Sequence, residues 1–206
     1  MAFSALQEII EYASEHKQAF WEAVLADDMA ERKVSREESL LQMKGIWDAI
    51  LHASRNYEKD RKSASSLVGG QGALMEVYCA NNTPLSGDFS GRVMTQALKM
   101  AESNACMKRI VAAPTAGSCG VLPAVLVPYF EDGRASEENI LKALYTAAGI
   151  GQVIALRASI SGAEGGCQAE IGSASAMAAG ALTFLEGGSA EQIAAAAAMA
   201  LKNLLG

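Results

Sequence analysis

The sequence predicts a mainly α fold, a multi-helix bundle with glycine-rich loops and buried helices of small residues. Three observations point that way. Apolar residues recur at helical spacing behind recognisable capping residues. Strand-like alternation is almost absent. Two stretches, Gly172 to Ala181 and Ala194 to Ala200, consist of Ala, Ser, Gly and Met, whose narrow profile lets backbones approach closely inside a bundle.

Taken in chain order, Leu6, Ile9, Ile10, Ala13, Phe20, Trp21, Val24 and Leu25 follow one helical period, and Ser4 with Gln7 has capping-box spacing. A second helix starts at Ser35, with Glu38 at the box position, and runs through Leu40, Ile46, Trp47 and Leu51. These two form an expected amino-terminal hairpin, residues 1–62, packed on a main helical domain, residues 63–206. From Ser63 charge falls and glycine rises. A helix over about Phe89 to Met107 places Val93, Met94, Ala97, Leu98 and Ala101 on one face as its core side. Pro114, Pro123 and Pro128 then divide the next segment, since proline starts helices but breaks their interiors. Ser136 caps a helix with Glu137 and Glu138 in its first turn, ending at Gly149 and Gly151. Ser189 and Gln192 box the last helix.

Composition narrows the function classes. A net charge of -6 offers no basic footprint for nucleic acid. The amino terminus mixes acids into an amphipathic pattern unlike a signal peptide, and no uncharged apolar run reaches bilayer length, so a cytoplasmic protein without membrane contact is expected. Cys79, Cys106, Cys119 and Cys167 are widely spaced and imply no disulfide framework. Only His16 and His52 are present, both among charged helix residues that face solvent, so a histidine-built triad or zinc site is not expected.

Two glycine-rich segments remain. In "APTAGSCG", Ala113 to Gly120, backbone N–H groups at a helix start suit an anion such as a substrate carboxylate, though ordinary turns share this composition. In "SGAEGGCQAE", Gly162, Gly165 and Gly166 remove bulk around Cys167 at the start of a small-residue helix, where a thiolate is favoured as a metal ligand. Glu164 and Glu170 add negative charge nearby, which favours a metal ligand over a free nucleophile. "GGQGAL" at Gly69 to Leu74 resembles only half of a dinucleotide fingerprint.

"APTAGSCGVLPAVL" at Ala113 to Leu126 and "ASISGAEGGCQAEIGSASAMAAG" at Ala158 to Gly180 resemble the alpha chain of the iron-sulfur-dependent L-serine dehydratases. "GGQGALMEVY" and "AESNACMKRIVAAPT" extend the resemblance along nearly the whole chain. It implies a lyase converting L-serine to pyruvate and ammonia with a [4Fe-4S] cluster as Lewis acid. Cys167 then matches a cluster ligand, and Thr115, Ala116, Gly117, Ser118 and Asn104 become substrate-binding candidates. A cluster with one open iron needs at least about three protein thiolates. The resemblance places the other two after Gly206, so the sequence reads as an alpha chain cut short that does not assemble a cluster alone. It also implies a separate beta chain, an oligomeric assembly and a general base that no residue here identifies. Two alternatives stay open: a cluster-dependent lyase for another β-substituted amino acid, and a noncatalytic helical binding protein.

Overall fold

The computed structural model describes residues 3–204. Among the described residues there are ten helices and no strand. Three of them come before residue 62: α1 (Leu6–Glu15), α2 (Phe20–Arg32) and α3 (Arg36–Arg55). The single periodic stretch expected from Leu6 to Leu25 is thus two helices. Lys17 adopts a left-handed φ of 54° and Gln18 N–H reaches back to the Ala13 carbonyl at 2.8 Å, which closes α1. The Ser4/Gln7 box is replaced by a Glu8 carboxylate that takes both the Ser4 N–H, at 2.7 Å, and the Ser4 hydroxyl, at 2.9 Å. At Ser35 the expected reciprocal box with Glu38 forms.

The next helices are α4 (Gln71–Asn81), α5 (Asp88–Ala105) and α6 (Val121–Glu131). α5 buries a side that its sequence disguises. Gly91, Thr95, Gln96, Met100, Glu102 and Ser103 face inward, whereas Met94, Leu98 and Ala101 are exposed. The cause is hydrogen bonding to other elements: the Glu102 carboxylate accepts the Tyr57 hydroxyl and the N–H groups of Gln71 and Gly72, so the polar side of α5 caps α4. Pro128 sits inside α6, contrary to expectation; it forfeits one backbone bond and buries its ring.

The centre of the molecule is α7 (Glu137–Arg157), followed by the one-turn α8 (Gly162–Gly165), α9 (Cys167–Leu185) and α10 (Ala190–Asn203). α9 packs on α7, α10 and α6. Gly149 and Gly151 do not end α7, which continues to Arg157 through both. They serve close approach instead: a Cβ at Gly149 would strike Val24 Cγ2, and one at Gly151 would lie 2.9 Å from Met177 Sδ. On α9, Gly180 receives Ile150 in the same way. One apolar core therefore runs from Ile9, Trp21, Val24 and Trp47 through Leu126, Ile140 and Ile150 to Ala178 and Ile193. α7 is long and apolar enough to cross a membrane by length and composition, yet half of its apolar window is buried in this core.

The small-residue helices separate in role. α9 buries Gly172, Ser173, Ala174, Ala176, Met177, Ala178, Gly180 and Ala181, as expected. α10 buries only Ile193 and Ala197, and it leaves Ala195, Ala198 and Met199 outside. It still packs on α9 along its inner side, and its outward alanines act as helix formers.

Candidate active site

The site begins at a helix start. Gly166, with a φ of 78° that an L side chain rarely adopts, turns the chain from α8 into α9 and makes Cys167 the first helical residue. Cys167 is exposed, while Cys79 is half-buried and Cys106 and Cys119 are buried. The Ser161 hydroxyl caps the turn preceding it by accepting the Glu164 N–H at 3.3 Å, and the Glu164 carboxylate takes the Ser159 hydroxyl at 2.8 Å. Glu164 is thereby tied back to its own loop.

The second glycine motif is held by internal bonds and by α5. Ala113 and Pro114 are joined by a cis peptide. Ser118 is 1% exposed, and its hydroxyl is shared among the Thr115 N–H at 3.3 Å, the Thr115 hydroxyl at 3.2 Å and the Ala113 and Thr115 carbonyls. It staples the loop. Asn104, near the end of α5, donates from Nδ2 to the Ala116 carbonyl at 3.0 Å. Thr115 is half-buried, and Ala116 and Gly117 are exposed at the rim.

These motifs, separate in sequence, meet at one carboxylate. A Cβ built on Gly117 would lie 2.7 Å from Glu170 Oε2, and one on Gly162 would also lie 2.7 Å from it. Glu170, one turn into α9 from Cys167, thus fills a slot between the "PTAGSCG" loop and α8 that only glycine leaves open on both sides. Sequence reasoning noted Glu170 as a charge near Cys167 but had no means to see this contact. The glycines at 117 and 162 are its sequence trace.

Two further features lie outside these motifs. The half-buried Tyr57 donates its hydroxyl to the buried Glu102 carboxylate; burial and the adjacent carboxylate push the Tyr57 hydroxyl up to about 12. The half fingerprint at Gly69 to Leu74 ends as the start of α4, whose amino terminus is already occupied by the Glu102 carboxylate, so it offers no phosphate seat. Gly72 is small because a Cβ there would lie 2.8 Å from Lys99 Cγ.

The profile of the family described as serine dehydratase alpha chain matches residues 15–206. The chain belongs to the serine dehydratase alpha chain family. It is 38% identical over 202 residues to the L-serine dehydratase alpha chain of Peptoniphilus asaccharolyticus, covering 97% of this chain and 69% of that protein. It is 37% identical over 204 residues to the probable L-serine dehydratase alpha chain of Bacillus subtilis, covering 99% of this chain and 68% of that protein. It also resembles the L-serine dehydratase TdcG of Escherichia coli, at 49% identity over 111 residues, which is 53% of this chain and 24% of that protein.

For a serine dehydratase alpha chain, the donor set is informative. Among the described residues, no group of three or more His, Cys, Asp or Glu side chains is placed to hold a metal ion. Cys167 fits a single ligand position: an exposed thiol at a helix amino terminus with glycine on its approach. Cys119 sits in the neighbouring motif but is 1% exposed, and burial pushes its thiol up to about 11.

Proposed function

We propose that this chain is the substrate-binding part of an L-serine ammonia-lyase, which releases pyruvate and ammonia, and that its site lies between the two glycine motifs. The observation that carries the location is the Glu170 carboxylate lodged between Gly117 and Gly162, which joins the loop to the start of α9. In this reading Thr115, Ala116 and Gly117 face the substrate carboxylate with hydroxyl and backbone donors. Asn104 holds that loop through Ala116, and Ser118 sets its shape from within. Glu170 fixes the distance between the loop and Cys167.

Cys167 contributes one thiolate to a [4Fe-4S] cluster, whose chemistry when bound is that of a Lewis acid toward the leaving hydroxyl. In this reading the further cysteine ligands are those the family resemblance places after Gly206, outside the described residues. The exposed apolar side chains Leu74, Val77 and Tyr78 of α4 and Met94 and Leu98 of α5 support a chain that works against a partner, and the beta chain is our assignment.

The test is release of ammonia and pyruvate by the assembled enzyme after anoxic loading with iron and sulfide, with L-serine and L-cysteine compared. Turnover of L-serine with a clear preference supports this reading. Preference for L-cysteine reassigns the substrate, and binding of L-serine without turnover of either contradicts the lyase assignment.

A further inference from the structure

Of the two acids beside Cys167, one is occupied and one is open. Glu164 is tied to the Ser159 hydroxyl at 2.8 Å. Glu170 is half-buried, and among the described residues its carboxylate accepts no hydrogen bond and joins no ion pair. The slot that holds it is formed by Gly117 and Gly162, which bring no side-chain donor. Basic side chains of the adjoining elements are engaged elsewhere: Lys108 by Glu58 and the Asn56 carbonyl, and Arg157, at the end of α7, by the Ser4 carbonyl. Neither Glu170 oxygen is among the sealed, unpartnered atoms of the core, so both stay open to a partner from outside the chain.

A partly desolvated carboxylate is costly until a cation pairs with it. The surroundings say which cation. On one side of Glu170 stands the loop of Thr115, Ala116 and Gly117, which the lyase reading assigns to the substrate carboxylate. On the other, one helical turn back along the same face of α9, stands Cys167. An α-amino acid carries its ammonium on the carbon next to its carboxylate. A molecule whose carboxylate sits at Gly117 therefore brings its ammonium within reach of Glu170 Oε2, the oxygen that bears on Gly117. A plain carboxylic acid leaves that oxygen unpaired. A metal ion finds a single carboxylate, since no group of three or more His, Cys, Asp or Glu side chains gathers among the described residues. We infer that Glu170 receives the α-ammonium group of the substrate and so sets the preference of the site for amino acids over plain carboxylic acids.

The inference rests on the lyase reading for the position of the carboxylate, and its test keeps the two apart. The assembled, anoxically reconstituted enzyme is titrated by calorimetry with L-alanine, which has no leaving group, and with propionate, which also lacks the ammonium. Turnover of L-serine and bound iron are measured in parallel. Wild type is expected to bind L-alanine at least about tenfold more tightly than propionate, the scale of one hydrogen bond to a charged group. Glu170→Gln, which keeps the shape of the side chain, abolishes that preference, holds propionate as wild type does and retains its iron. Gly117→Ala, which pushes the carboxylate aside, reduces the preference in the same direction should the first variant fail to fold. No binding of L-alanine by wild type, equal binding of L-alanine and propionate by wild type, a preserved preference in either variant, or loss of iron from Glu170→Gln overturns the inference. Absence of L-serine turnover with the L-alanine preference intact removes the lyase reading alone.

Discussion

Glu170 and Gly117 occupy one space: the position a Cβ would take on Gly117 lies 2.7 Å from Glu170 Oε2. The same oxygen bears on Gly162 from the other side, so the carboxylate cannot be displaced toward either loop without cost. The colliding atoms belong to the end of a flexible side chain. A substitution here therefore moves the carboxylate more than it disturbs the bundle.

Gly117→Ala is accordingly expected to lower kcat/KM for L-serine by at least about tenfold, on the scale by which small misplacements reduce turnover, while Tm changes by no more than about 2 °C. Paired steady-state kinetics and thermal melts check this. Adding Glu170→Ala to Gly117→Ala relieves the collision, and its effect should fall short of the sum of the two single changes.

Tyr57 makes stability depend on alkaline pH. Its hydroxyl is held protonated in the fold, with its ordinary value of 10.0 raised to about 12 by burial and by Glu102. A raised folded value gives stability that is fully present below pH 10.0 and lost as pH rises through about 12. Melts of wild type across that window should fall more steeply than those of Tyr57→Phe; parallel curves would remove the pair from the account. Glu102→Gln, which strips the charge from the cap of α4, costs about 1–3 kcal/mol.

The close-packed glycines differ in what they face. At Gly180 a Cβ runs into Ile150, which is buried, whereas at Gly151 it meets the flexible end of Met177. Gly180→Ala is expected to destabilise by about 1–3 kcal/mol, the usual cost of overpacking, and Gly151→Ala by less. Denaturant unfolding of both variants tests the order, and equal losses would contradict it.

Cysteine accessibility supplies an independent check. Peptide mapping after brief iodoacetamide treatment should find Cys167 alkylated first and Cys79 more slowly. Cys106 and Cys119 should be modified only on unfolding, because both are buried and the Cys119 thiol is held protonated.

Much of this was legible in the sequence where the cause was local. Ser35, Ser136 and Ser189 announce their helices because each hydroxyl accepts an N–H three residues on. Cys167 was legible because glycine on its approach is a sequence fact. The misreadings arise where a distant residue decides. Gly149 and Gly151 read as a helix end, since nothing nearby reveals Val24 or Met177. The inward face of α5 was reversed because Glu102 is satisfied by Tyr57 and the start of α4, and no periodicity counts hydrogen bonds from other elements. The meeting of Glu170 with Gly117 belongs to this second kind.

Cys167, at the meeting point of the two glycine motifs, is the residue proposed to hold the metal group of a serine lyase. Deamination of L-serine by the anoxically reconstituted assembly, measured for wild type and Cys167→Ser alongside bound iron and sulfide, tests it most directly. Cys167→Ser is expected to lose iron and sulfide and at least about 100-fold in activity, the upper scale for disturbing a metal site, with an unchanged Tm. Wild-type iron content and activity in Cys167→Ser would contradict it.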